Sequence, residues 1–323
     1  MKRVPLIWLM AAVSLIIPLL SLMVGQEGIA WPDTSTELGR ALFLMRTQRV
    51  LAGFIVGGTL SCAGAVLQAV LRNPLADPYV LGVSSGGAVG AALAIATGFV
   101  NYSAYALPMT AFVAAIVTLA IVYRLASRHG HTSVHGLILS GVVVSTMLSS
   151  VLMVTLSFTR NERLHGILWW MLGNLQAGDI RILVGCGVCG LIAFVVSLAM
   201  ARDLNALTLG REMAHNIGIR TRFAVGCSLA AATLAAASAV ALAGLIGFVG
   251  LIVPHAVRQL SGPDHRRLIP AVFLAGGAFL VICDTLSRSL IPVREIPVGV
   301  ITALTGGPFF LFLLRRRRHE WEI

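Results

Sequence analysis

Ten almost uncharged apolar runs punctuate the chain, at 5–24, 50–70, 79–98, 106–126, 135–157, 180–200, 224–243, 245–258, 269–290 and 297–314. A helix needs roughly 20 apolar residues to cross the hydrocarbon of a bilayer, and all but the eighth run approach or exceed that length. The residues left between them are too few for a soluble domain. Away from water, backbone groups must be paired internally, so only helices and closed barrels span a membrane. Barrel strands alternate polar and apolar residues over about ten residues, whereas these runs are continuous and about twice as long. The pattern predicts one all-α domain over 1–323, a polytopic transmembrane helical bundle of about ten spans. The eighth run is short, carries Gly244, Gly247 and Gly250 at its start and Pro254 near its end, and is expected to be broken or tilted.

Charge agrees with lipid as the solvent. Only 11% of the 323 residues are charged, less than half of the roughly 25% usual in soluble domains. The net charge of +11 is almost all arginine, Lys2 being the single lysine. Because the arginines fall between the apolar runs, the positive-inside rule accounts for them without nucleic acid. With the N-terminus in the cytoplasm and ten spans threaded, the cytoplasmic side holds 16 Lys and Arg against 8 outside. That bias predicts cytoplasmic N- and C-termini, with the Arg315–Arg318 run as an anchor after the last span. The first run follows Lys2-Arg3 as a signal peptide would. It is full length and no A-x-A site follows, so it is expected to stay as a span.

Several chemistries are missing. A nucleotide-binding P-loop needs a lysine on the phosphates, and Lys2 lies ahead of the first run. No HExxH occurs, and the eight histidines lie mostly in loops or at span ends, so neither metal nor cofactor is expected on this chain. The five cysteines fall inside apolar runs; Cys186 and Cys189 form a CxxC without a second pair and are read as small packing residues. Ion-coupled carriers, the alternative class, keep ionisable groups at mid-membrane. Here Asp284 is the one acid well inside a run, with Arg288 four residues later on the same helical face. The two form either a structural pair or part of a docking or pathway site. An intramembrane enzyme would need a catalytic set that is not visible. The chain is therefore expected not to be an enzyme and to take its energy from another subunit. Gly53-x-x-x-Gly57 and Gly86-x-x-x-Gly90 have the small-residue spacing that lets helices approach closely in lipid, within the chain or at a subunit interface.

Three polar stretches stand apart. Arg46 and Arg49, three residues apart, share a helical face and suit either carboxylates on a partner or snorkelling at the interface. Residues 68–87 carry Asn73-Pro74 and Pro78 and then a Gly- and Ser-rich start to the third run, as a tight cytoplasmic turn would. In the loop 202–222, Met213 and Ile217 are one helical turn apart and Gly218 is placed to cap a short helix. Such a helix either inserts into a groove on a soluble partner or lies on the membrane surface.

These stretches occur together with Gly64-x-x-x-Gln68, Arg72–Pro78, Leu81–Gly86, Trp170–Leu175, Leu209–Ala214, Gly247–His255 and Glu295–Gly299. In that order they resemble the iron-chelate and vitamin B12 uptake permeases, the FecCD type of ABC importer, over essentially the whole chain. The resemblance implies an inner-membrane homodimer with a pathway along its axis, lined by span 135–157. It implies two ATPase subunits beneath and a periplasmic substrate-binding protein above. Arg46 and Arg49, with Arg288 or Arg294, would meet acidic residues of the binding protein. Gly210, Arg211, Glu212, Met213, Ala214, Ile217 and Gly218 would form the coupling helix. Asn73, Pro74 and Leu75, and more loosely Ser133, Val134 and His135, would sit at the cytoplasmic gate. The implied cargo is an iron(III)-siderophore first, with haem and cobalamin behind it, and transport would run by ATP-driven alternating access.

Overall fold

The computed structural model describes residues 3–25, 28–128, 131–176, 178–291 and 294–317. Lys2, His129, Arg318 and His319 lie outside the described residues. The described chain is almost entirely helical: α1 Arg3–Met23, α2 Glu37–Val70, α3 Val83–Thr97, α4 Ala106–Ala126, α5 Val134–Phe158, α6 Asn161–Met171, α7 Ile180–Ala199, α8 Ala201–Thr208, α9 Arg211–Asn216, α10 Thr221–Ala243, α11 Val249–Ser261, α12 His265–Ser289 and α13 Val298–Arg317. Two antiparallel pairs of two-residue strands close short hairpins at 24–29 and 127–132. Among the described residues, six helices are long and apolar enough to cross a membrane: α2, α4, α5, α7, α10 and α12. Shorter apolar helices cover Ala12–Met23, Val83–Thr97 and Val298–Leu311.

Three expected boundaries move. The second run was expected from residue 50, but α2 begins at Glu37, where the Thr36 side chain accepts a hydrogen bond from the Gly39 N–H and caps the helix. Arg40, Arg46 and Arg49 give this stretch a loop-like composition, yet it lies within one 34-residue helix. The run 79–98 divides: Asp77 caps a 3-10 turn over Pro78–Leu81, Gly82 turns left-handed at φ 84°, and only then does α3 begin. Burial pushes the Asp77 carboxyl up to about 6, against the Tyr79 N–H that it accepts. The run 245–258 is a helix only from Val249, continuing to Ser261. Residues 244–248 are unwound, with Gly244 at φ 71° and Phe248 at φ 69°. Two helices were not anticipated: α6 occupies part of the stretch between the fifth and sixth runs that reads as a loop, and α8 the start of the loop 202–222.

Helix α2 is the axis of the bundle and packs against α12, α10, α11 and α7. From Ala52 to Val70 most of its residues are buried, and glycine makes this possible. A β-carbon on Gly57 would run into the carbonyl oxygen of Gly276 on α12, and one on Gly64 into the carbonyl oxygen of Gly250 on α11. Gly86 and Gly90 do the same for α3 against Ala114, Thr118 and Thr110 of α4. The small-residue spacings thus serve packing within the chain. Because the obstacle at Gly64 is backbone, it cannot be relieved by a rotamer change. Gly64→Val should destabilise the folded protein by about 1–3 kcal/mol or more. Gly307→Ala, where nothing lies within 4 Å of the added carbon, should leave thermal unfolding in detergent unchanged.

Candidate functional site

Polar chemistry gathers at the two ends of α2. From Arg49 to Val70 the helix rises about 32 Å at 1.5 Å per residue, which matches the roughly 30 Å hydrocarbon thickness of a bilayer.

At the Arg49 end, three helices and a loop meet in an ionic cluster. Arg49 Nε donates to Asp284 Oδ1 of α12 at 2.7 Å, and Arg49 Nη1 donates to Glu295 Oε2 at 2.8 Å. Arg288 Nε faces Asp284 Oδ2 at 3.4 Å. The Asp284–Arg288 pair suggested by spacing therefore forms, but Arg49 is the shorter partner, and the separation of 235 residues hid it. Arg288 also donates to Val24 O at 2.6 Å and to Ser21 O and Ser21 Oγ at 2.7 Å each, which ties α1 to α12. Among the described residues, Arg46 Nη1 donates to carbonyls, Leu22 O at 3.1 Å and Ala30 O at 3.3 Å. Arg46, Arg49, Arg288 and Glu295, with Gln48 and Gln176, line one open cleft of about 670 Å³. Three of the four arginines singled out in the sequence are thus together; Arg294 is exposed and does not line the cleft.

The unwound stretch 244–248 joins this end to the core. Asn174 N donates to Ala243 O at 2.8 Å, Ile246 N donates to the Tyr79 hydroxyl at 2.8 Å, and Gly299 N donates to Leu172 O at 3.1 Å. Irregular backbone at membrane depth is tolerated where protein pairs it. Gly173, at φ 79°, brings its loop within van der Waals reach of Leu245, Ile246 and Gly299. The motifs Trp170–Leu175 and Glu295–Gly299 meet there around residues 243–246, just ahead of the Gly247–His255 motif.

At the other end, Arg72 adopts φ 50° and Asn73 Oδ1 accepts from the Leu75 N–H at 2.9 Å. Pro74 and Leu75 face Leu251, Ile252 and His255 of α11 and Phe309 and Phe310 of α13. Ser133 caps α5 by accepting from the Gly136 N–H at 3.3 Å, and its own N–H donates to Ala126 O at the end of α4. Val134 and His135 open that helix, with His135 exposed. Beside Arg72 begins α9, whose first residue Arg211 has its guanidinium pushed down from the ordinary value by burial and by the Arg72 charge. The helix buries Ala214 and exposes Met213 (53%) and Ile217 (59%) side by side. Gly218 at φ 89° closes it, and Ile219 N donates back to Ala214 O at 3.0 Å, a Schellman closure. Glu212 and His215 are exposed around this apolar pair.

Sequence reading missed a polar joint just before α9. The Asn205 side chain on α8 contacts Asp264 and His265 at the start of α12. The Asn205 amide and the Arg266 N–H hold the Asp264 carboxyl below the usual range. Asn205 followed by Asp264 and His265 some sixty positions later leaves no spacing signal.

A nearly uncharged helical wall, with ionic groups at its ends and an apolar pair at a short helix, is the build of a multi-pass membrane permease. The chain belongs to the FecCD transport family, whose model matches residues 13–316. It is 43% identical to the cobalamin import system permease of Halobacterium salinarum over 84% of this chain and 73% of that one. It is 36% identical to the hemin transport system permease of Yersinia pestis over 85% and 83% of the two chains. It is 35% identical to the vitamin B12 import system permease of Escherichia coli over 95% and 94%. Among solved structures, an inward-facing metal-chelate type ABC transporter superposes with TM-score 0.87 at 30% identity, covering 97% of this chain and 99% of that one. The protein is an ABC importer permease subunit, and the ATPase is a separate partner.

Proposed function

We propose that this permease carries a bulky metal chelate across the inner membrane as a homodimer of ten-span subunits with both termini in the cytoplasm. The eighth span would be α11, short and entered through the unwound 244–248 stretch. Relatives named for cobalamin and for hemin support a tetrapyrrole cargo, with an iron(III)-siderophore as the remaining member of the class.

The observation that carries this reading is the separation of an arginine cleft and an exposed apolar helix at opposite ends of α2, one bilayer apart. The cleft end takes the substrate-binding protein. Arg46, whose side-chain bonds among the described residues go to carbonyls, is the first guanidinium offered to an acidic partner; Arg49 and Arg288 already hold Asp284, and Arg294 is exposed. The α9 end, Gly210–Gly218, enters a groove on the ATPase. Asn73, Pro74 and Leu75, with Ser133, Val134 and His135, belong to the cytoplasmic gate. ATP-driven closure of the ATPase pair favours one arrangement of the spans, and its relaxation favours the other.

Helix α5 lines the pathway in this reading. It buries only Leu137, Gly141, Val144 and Leu152 along its length. Its outward hydroxyls Thr146, Ser150, Thr155 and Ser157 each donate to the carbonyl four residues back. Hydroxyls whose protons are committed in this way, on a helix without charge, suit a weakly binding conduit, with selectivity resting mostly with the binding protein.

Arg46→Glu should weaken docking of the cognate binding protein to the detergent-solubilised complex by about tenfold or more, with the loss shrinking as salt rises. Equal docking by the variant and the parent would remove Arg46 from the docking site. Affinities of that binding protein for cobalamin, haem and ferric siderophores, measured side by side, decide the cargo.

A further inference from the structure

The joint between α8 and α12 has a geometry that packing alone does not require. Asn205 Oδ1 accepts two hydrogen bonds, from the His265 backbone N–H at 2.9 Å and from His265 Nδ1 at 2.7 Å. The backbone N–H can only donate, which fixes the amide orientation and makes Nδ1 the protonated ring nitrogen. Asn205 Nδ2 then donates to Asp264 Oδ1 at 2.7 Å. Asp264 Oδ1 also accepts from the Arg266 N–H at 3.1 Å and caps α12. One amide group therefore holds both the capping carboxylate and a 2%-exposed histidine.

The two elements joined in this way face different partners. On one side, α8 buries Ala201, Leu204, Ala206 and Leu207 and runs through Leu209 and Gly210 directly into α9. On the other, α12 runs as one helix from His265 to Ser289, with Pro270 in its second turn. Asp284, about 30 Å further along that helix at 1.5 Å per residue, is the acid that holds Arg49 in the cleft. A rigid helix pinned at both ends by directional bonds transmits a displacement that a greasy contact would absorb.

We propose that Asn205 is a positioning residue that clamps the α8–α9 segment to the start of α12, making α12 the strut between the arginine cleft and the ATPase-facing end. The proposal rests on the assignment of α9 to the ATPase groove. It adds a residue that touches neither partner and acts only through the joint.

The test uses the full complex of permease, ATPase and binding protein in proteoliposomes, and reads the ratio of binding-protein-stimulated to basal ATPase. Asn205→Asp sets two carboxylates against each other and should cut the ratio by about 2- to 30-fold while basal hydrolysis and assembly persist. Asn205→Ala removes the bonds without adding charge and should lower the ratio in the same sense, which keeps the test readable if the charged variant does not assemble. The double variant Asn205→Asp with Asp264→Asn removes the like-charge contact and reverses the direction of the side-chain bond, but it gives up the acceptor that Asp264 Oδ1 offers the Arg266 N–H, so it should recover part of the ratio. An unchanged ratio in Asn205→Ala, a double variant no better than the single, or basal and stimulated rates falling together would each overturn the clamp. Met213→Asp with Ile217→Asp, run in parallel, separates the two ideas. If that pair leaves stimulation intact, the α9 assignment fails; if it abolishes stimulation while the Asn205 variants do not, only the clamp fails.

Discussion

Met213→Asp combined with Ile217→Asp abolishes binding-protein-stimulated ATPase activity in the assembled complex, leaving the permease inserted in the membrane. The expectation follows from exposure. These two apolar side chains stand more than half exposed on one face of a six-residue helix that buries only Ala214. Their replacement therefore costs the isolated permease little, because surface changes away from packed features move stability by about 0.5 kcal/mol or less. In a groove on a partner, two carboxylates in place of two apolar anchors cost about 2 kcal/mol or more each, which amounts to a loss of coupling by several hundredfold or more. Stimulated and basal rates measured on the purified complex decide it. Stimulation retained in the double variant would return α9 to the membrane surface.

The second large effect concerns stability. Arg49→Met takes the 2.7 Å partner from the Asp284 side chain, 1% exposed, leaving Arg288 at 3.4 Å beside it, and removes the Arg49 bonds to Glu295. Removing one member of a buried ion cluster costs about 3–5 kcal/mol. Arg46→Met gives up two hydrogen bonds to carbonyls at the edge of the cleft and costs about 1–2 kcal/mol. Arg49→Met with Asp284→Leu removes the orphaned buried charge and should recover much of the loss. Thermal unfolding of the three variants in detergent checks the ranking. Equal destabilisation by Arg46→Met and Arg49→Met would mean that the cluster does not hold α2, α12 and the 294–297 loop together.

Much of the fold was legible because lipid imposes a simple rule. Runs of apolar residues near 20 long became α1, α4, α5, α7, α10, α12 and α13 within a few residues of their expected limits. Where the rule failed, it failed for local reasons. Charge disguised the first third of α2 as a loop, although a helix at a membrane surface tolerates arginine when its face is open to water or paired. Helix α6 is too short and too polar to register as a span, and its place became clear only through its loop against Gly244 and Gly299. The Met213–Ile217 pair was visible because Ile217 caps the short helix that carries Met213, four residues away. By contrast, Arg49–Asp284–Glu295 and Asn205–Asp264–His265 are built across 60 to 246 positions of sequence, and no periodicity carries contacts of that range. The spacing did place Arg288 beside Asp284, one turn away on α12. It did not reveal that the stronger partner comes from another helix.

Uptake of radiolabelled cobalamin, haem or ferric siderophore into proteoliposomes, with the permease, its ATPase and its binding protein reconstituted together, bears most directly on the source of energy. Accumulation should require ATP and both partners, and should survive collapse of proton and sodium gradients. Accumulation by the permease alone, driven by either gradient without nucleotide, would contradict the account.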